Sequence, residues 1–384
     1  MKKEDVTGLF IYLIILAAAI IYGLTVVQPY YAQSSFTKVI IYALFVFGAL
    51  MTGILTGAIC IELGHVVGAK VGKYNVLSTN LLYFCLYKSE GKFKFKFSGF
   101  EGLTGETKIQ PKDEKSNPTP YLIFGTLFLA LISLAYIIIF YVNKDLTGTS
   151  KDVGYFFLTA GVVSFVILFF NIVPFKMDTP NDGYKLIMVS NPKNKEAFNE
   201  LLRVEYALAS GDSNVEIKTF TEVTNFTAEL NMNKVYLLLE KEKYDEAIEL
   251  VDIVLNSKDS VSQKVYIRAL SRKIELLTYS NHEDAGKYVE ENIDMEVRRI
   301  IMEDSSFPSI RAYILISGLY DDSKSECKIA LAKVSKAYKS TPKERRGIES
   351  RLFNKCLDVV LAKHPKWEDL ALYKIEEEKV EEKK

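Results

Sequence analysis

The chain has 384 residues, enough for two domains, and its 48 Lys and Arg against 48 Asp and Glu leave it without net charge. That balance points to no nucleic-acid partner. The charges are segregated, however: long stretches before residue 190 nearly lack them and the chain after it is dense with them, so the two halves sit in different solvents. Aromatic residues make up 12% of the chain, and many fall near the ends of apolar runs, where amphipathic rings suit a bilayer interface. The four cysteines, Cys60, Cys85, Cys327 and Cys356, form no CxxC pair and read as free thiols in a reducing compartment.

Four apolar runs are long enough to cross a bilayer. The first, about residues 9–27, follows Met-Lys-Lys-Glu-Asp and lacks a small-residue cleavage site, so it reads as a retained anchor. The second, about 39–60, continues without a break into Ile61-Glu62-Leu63-Gly64-His65. The third and fourth are about 121–142 and 155–175. Lysines crowd the N-terminal tail and the loop between the second and third spans, and are sparse in the other two loops. By the positive-inside rule the tail, that loop and the C-terminal half face the cytoplasm of a multi-pass cell-membrane protein.

Within the lysine-rich loop, residues 81–87 are apolar and aromatic, Lys88-Ser89-Glu90-Gly91 is turn-like, and Lys92-Phe93-Lys94-Phe95-Lys96-Phe97 alternates strictly. A period of two puts the Phe on one face and the Lys on the other, so a β-hairpin on the membrane surface is expected. It serves either as plain structure or as an edge strand that pairs with an extended peptide.

After Ser190-Asn191-Pro192 the composition is that of a water-soluble helical protein, giving domains 1–190 and 191–384. Apolar residues at three- and four-residue spacing over 231–256 predict a helical hairpin turning near Lys243. A second is expected over 310–338, turning at Asp321-Asp322-Ser323. Such pairs resemble tetratricopeptide-like units, although no clean 34-residue period repeats. The expected fold is mainly α: about four transmembrane helices with a small β-hairpin, then an array of helical hairpins. The charged tail, 376–384, reads as a frayed helix end.

Polar groups inside a bilayer are costly and are functional candidates by default. Two clusters fall at the cytoplasmic ends of spans: Glu62-Leu63-Gly64-His65 on the second, and Asn171-Ile172-Val173-Pro174 with Asp182-Gly183 on the fourth. Over about residues 39–190 these motifs resemble those of the site-2 proteases, intramembrane zinc metalloproteases with a His-Glu-x-x-His motif in one span and Asn-x-x-Pro followed by Asp-Gly in a later one. The longer separation of Pro174 from Asp182-Gly183 is similar to a Gram-positive subgroup. The resemblance implies that His65 and Asp182 are zinc ligands, that Glu62 is the general base, and that Asn171 orients the substrate backbone. Physically, histidines at i and i+4 share a helix face and reach one Zn²⁺, and a glutamate beside them can deprotonate metal-bound water.

The position of the family's first histidine is Ile61, which cannot bind a metal. Two ligands are too few for a usual catalytic zinc. Cys60 lies five residues from His65, about 140° around a helix, and does not share its face. Glu62 and His65 do face together, so Glu62 is an alternative ligand, and Asp178 another. Three readings follow: a pseudoprotease that keeps the peptide groove, a metalloprotease with an altered metal shell, and helix-packing polar groups alone. As an enzyme the protein cuts a transmembrane segment of a membrane-protein substrate. As a scaffold it binds such a partner uncut and recruits a soluble protein through the C-terminal array.

Overall fold

A computed structural model describes residues 3–29, 36–81, 83–89, 92–97, 105–174, 180–280 and 282–376. The chain forms two compact units, Met1–Asn199 and Glu200–Lys384.

The first unit is built on four helices long and apolar enough to cross a membrane. Helix α1 (Lys3–Tyr22) continues as a π-helical segment, Gly23–Val27, and is followed by α2 (Phe36–Val71), α3 (Pro118–Asn143) and α4 (Thr149–Ile172). The second span is longer than the apolar run alone indicates, because the helix runs through Glu62 and His65 to Val71. Helix α3 begins on a capped first turn: the Asn117 side chain accepts from the Thr119 amide, and Pro118 and Pro120 need no donor there.

Small residues set the approach of α2 to α3. A Cβ on Gly64 would lie 2.6 Å from the Gly125 Cα, and one on Gly68 would lie 2.9 Å from the Tyr121 Cα. Backbone therefore packs on backbone, the arrangement small residues permit in apolar surroundings. This contact carries the last turns of α2 alongside the first turns of α3.

Two residues after α2 the chain enters a sheet of four antiparallel strands: β1 (Tyr74–Leu81), β2 (Phe84–Ser89), β3 (Lys92–Phe97) and β4 (Glu106–Pro111), in the order β3-β2-β1-β4. The expected hairpin is present as β2–β3, with Phe84 opposite Phe97 and Leu86 opposite Phe95. It is half of a larger sheet. Strands β1 and β4 pair across a bulge at Val76–Ser78 and lack the clean alternation of β3. The register puts Thr79 and Thr107 on the face that also carries Phe84, Leu86, Phe95 and Phe97. Those Phe rings form an exposed cluster with centroids 5.4–5.5 Å apart.

A short helix, α5 (Asp182–Val189), closes the site region. Asn181 caps it: its Oδ1 accepts from the Tyr184 amide, while its Nδ2 donates to the carbonyls of Phe170 and Val173. One side chain thus ties the end of α4 to the start of α5 and fixes Asp182.

The chain then forms α6 (Pro192–Ala209) and the helices of the second unit. Helices α7 (Asn225–Glu240) and α8 (Tyr244–Leu255) pack together around a turn in which Glu242 takes a positive φ, the expected first hairpin. Helices α9 (Gln263–Ser280), α10 (His282–Asn292), α11 (Met295–Glu303) and α12 (Phe307–Leu315) follow. The second expected hairpin is α12, its π-helical extension Ile316–Tyr320, and α13 (Lys324–Leu331) with α14 (Val334–Ser340). Helix α15 (Lys343–Lys363) and a 3₁₀ segment, Pro365–Tyr373, end the described chain. The core gathers Ile274, Ile310, Ile314, Phe353 and Leu357, and it also buries Arg311, whose Nε and Nη1 donate to Glu275 and Glu349 at 2.5 Å each.

Candidate functional site

Glu62 and His65 lie one turn apart on α2, Asn171 lies in the last turn of α4, and Asp182 is the first residue of α5. The fold brings all four together. His65 Nε2 is 2.9 Å from Asp182 Oδ2 across 117 residues of sequence, and His65 Nδ1 is 3.7 Å from Glu62 Oε2. Glu62, His65 and Asp182 are each less than a tenth exposed. Burial of this kind requires that every charge have a partner.

The partners are present. The Thr107 hydroxyl on β4 donates to Glu62 Oε2 at 2.5 Å and lies 3.3 Å from the Thr79 hydroxyl on β1. Asn171 Nδ2 donates to Asp182 Oδ2 at 3.2 Å and to the Thr126 hydroxyl on α3 at 3.0 Å. Lys185 Nζ lies 3.8 Å from Asp182 Oδ1, one turn along α5. Burial pushes the Asp182 carboxyl up, but the His65 hydrogen bond and charge, with Lys185 and Asn171, outweigh it and hold the group below its usual range. The carboxylate is therefore the acceptor, and the proton on His65 Nε2 is the donor.

Tyr121 on α3 completes the wall. Its ring packs on the His65 imidazole at 4.8 Å between centroids, and its hydroxyl donates to the Thr107 carbonyl at 3.0 Å. A Cβ on Gly125 would lie 2.9 Å from His65 Nε2, so α3 backbone fills that side. Over Glu62 the chain is equally close: a Cβ on Gly105 would lie 2.6 Å from Glu62 Cδ. The start of β4 is thus pressed onto Glu62, and β4 is an outer strand of the sheet. The alternating strand β3 is the other outer strand. With two strands between them, it lies about 14 Å from β4 at the usual strand spacing.

Could these side chains hold a zinc ion? The 2.9 Å between His65 and Asp182 is a direct hydrogen bond. Glu62 lies on the Nδ1 side of the ring and Asp182 on the Nε2 side. Those two nitrogens point away from each other, so the two carboxylates do not meet at one point. Among the described residues no group of three or more His, Cys, Asp or Glu converges as a metal site. Ile61 adds no donor, and Asp178 lies outside the described residues. This donor set does not fit a catalytic zinc.

The arrangement is a closed chain of hydrogen bonds and charge contacts, from Thr107 through Glu62, His65 and Asp182 to Asn171 and Thr126. The sequence motifs locate Glu62, His65, Asn171 and Asp182. They miss Thr107, Tyr121, Thr126 and Lys185. Thr107 had one usable signal: with Ile109 it forms the buried alternate positions of a short strand. Comparison with protein-family models, curated proteins and solved structures finds no match for the chain.

Proposed function

We propose that this chain is a site-2-protease-like membrane protein that binds an extended or unwound segment of another membrane protein and does not cut it by zinc chemistry. One observation carries the reading: His65 and Asp182 meet at 2.9 Å with no third His, Cys, Asp or Glu converging on them as a metal site among the described residues. Ile61 in place of a ligand histidine supports it from the sequence. In this reading the imidazole stands between two carboxylates, hydrogen-bonded to Asp182 and in charge contact with Glu62.

Recognition falls to the sheet. An outer strand presents unpaired backbone groups, and an extended peptide satisfies them by adding a strand. Strand β4, whose Thr107 touches Glu62, is the edge that would bring such a peptide beside the buried cluster. The β3 edge expected for this role from its alternation stands away from Glu62. The cytoplasmic orientation and a tetratricopeptide-like role for the second unit, recruiting a soluble protein, belong to the same proposal. Support comes from the lysine-rich loop for the first and the packed α7–α8 hairpin for the second.

The test is Glu62→Gln in cells, with photo-crosslinking from Thr107-proximal positions on β4. A non-cutting binder keeps its crosslinked partner and its cellular phenotype in the variant. Loss of the phenotype at unchanged protein level and partner binding would sink the proposal and favour a metallopeptidase with an altered metal shell.

A further inference from the structure

The second unit gathers polar groups in its interior that its own hydrogen bonds do not satisfy. Among the described residues, seven buried side-chain atoms make no hydrogen bond, and five of them lie on four helices of this unit. They are the Tyr236 hydroxyl and Glu240 Oε2 on α7, the Tyr279 hydroxyl on α9, Arg311 Nη2 on α12 and Arg345 Nε on α15. Buried polar atoms are seldom left unpaired, so five in one neighbourhood need a common cause.

One continuous set of contacts joins them. The Tyr236 ring lies 5.0 Å from the Arg345 guanidinium and 5.7 Å from that of Arg272. Arg272 and Arg311 both donate to Glu275, and Arg311 donates also to Glu349, one turn along α15 from Arg345. Tyr279 lies one turn beyond Glu275 on α9, and Glu240 one turn beyond Tyr236 on α7. Arg311 is fully buried, Arg272 and Tyr236 are nearly so, and Arg345 is half-buried.

The charges of this set do not cancel. Arg272, Arg311 and Arg345 bring three positive charges, and Glu275 and Glu349 bring two negative ones. Glu240 does not restore the balance, because its other oxygen takes Arg351 at 2.7 Å. A cation held out of water without a counter-charge is costly. Four of the five unpaired atoms are donors, on four different helices. Burial pushes both phenols above their ordinary range, so both hydroxyls keep their protons and donate.

A carboxylate matches this demand in charge and in number. It carries one negative charge, and its two oxygens accept about four hydrogen bonds. Its flat pair of oxygens also suits guanidinium donors, which a spherical halide does not. A phosphate brings about 1.5–2 negative charges and overshoots the single excess cation. The seam between α7 and α15 is closed by Arg351 with Glu240 and by Lys355 with Glu242. Ion pairs that reach solvent are worth little, so a small solute can part this seam without unfolding the core.

The geometry points to an internal anion site in the second unit: a small carboxylate, admitted between α7 and α15, accepts from Tyr236, Tyr279, Arg311 and Arg345. The site does not depend on the function proposed for the Glu62 and His65 cluster.

The experiment follows thermal unfolding of the full chain in detergent through emission of its single tryptophan, Trp367, with sodium acetate replacing sodium chloride at constant ionic strength. The expected midpoint rises with acetate and saturates. Tyr236→Phe removes a hydroxyl that bonds nothing within the chain, so in chloride it should unfold at the wild-type midpoint. In acetate it should need about tenfold more anion for half of the rise, since a hydrogen bond to a charged group is worth about that factor. Arg345→Gln should show the same loss, and it carries the comparison if Tyr236→Phe does not fold. A wild-type midpoint indifferent to acetate overturns the proposal, because the unpaired atoms then bond to solvent only. An equal, saturating rise in inorganic phosphate overturns it as well, since the cluster then reads charge and not a carboxylate. A wild-type acetate response in both variants places the anion elsewhere and overturns it too.

Discussion

Replacing Gly64 by Ala tests the close contact on which the site rests. The added Cβ would lie 2.5 Å from the Phe124 carbonyl carbon and 2.6 Å from the Gly125 Cα, whereas ordinary contact begins at 3.4 Å. Neither neighbour is a flexible side chain, so α2 must move away from α3 by most of an ångström. Overpacking of this kind costs about 1–3 kcal/mol. Helix propensity works in the other direction, since Ala is favoured over Gly by about 1 kcal/mol in a helix interior. The net of the two is a loss of up to about 2 kcal/mol, which sets the variant about 1–3 kcal/mol below a glycine-to-alanine change without the clash. The displacement also loosens the packing of His65 on Tyr121. The assay is equilibrium unfolding in mixed micelles, with Gly23→Ala as the control, because a Cβ there meets nothing within 4 Å. The control should be neutral or slightly stabilised. A Gly64→Ala protein as stable as the control would refute the backbone contact.

Other outcomes follow from the same geometry. Thr107→Val keeps the shape of β4 but leaves a Glu62 oxygen without its donor, and should cost about 1–3 kcal/mol in the same unfolding assay. A change below the error of the method would remove Thr107 from the site. In the second unit, Arg311→Met leaves Glu349 without its hydrogen-bond donor and Glu275 with Arg272 alone, and should cost about 3–5 kcal/mol, read from urea unfolding by emission of the single tryptophan, Trp367. Arg311→Met within 1 kcal/mol of wild type in that titration would contradict the pairing. The same unit should lose stability in acid. Burial pushes the Glu349 carboxyl up, but Arg311, Arg272 and Arg345 outweigh it and hold the group below its ordinary 4.5. A lowered carboxyl stabilises the fold above its unfolded value, and that contribution is lost as pH falls from 4.5 through the lower folded value. Glu349→Gln should flatten this part of the pH–stability curve, and an unchanged slope would assign the acid loss elsewhere.

The sequence is most legible where a single residue type is costly in its surroundings. Glu62, His65 and Asn171 stand out because charge and amide groups are rare in apolar helices, and Asp182 because it follows the last span closely. Their convergence could be anticipated only from the order of the spans. Strand β3 announces itself by strict alternation, while β1 and β4 do not: Asn75, Ser78 and Asn80 interrupt β1, and its bulge shifts the register. Without β4 the donor for Glu62 is invisible, and only the β3 edge can be named from the sequence. The close approach at Gly64 and Gly68 was equally hidden, since a glycine shows its role only against the helix it meets.

Metal content tests the arrangement of Glu62, His65 and Asp182 most directly. The full chain, purified without chelator and equilibrated with stoichiometric Zn²⁺, would be measured by inductively coupled plasma mass spectrometry beside Asp182→Asn and His65→Ala. With Ile61 in place of a ligand and no third side chain converging on His65 and Asp182 among the described residues, no stoichiometric zinc is expected in any of the three proteins, and unfolding should be indifferent to added zinc or EDTA. One zinc per wild-type chain, lost in both variants, would contradict it.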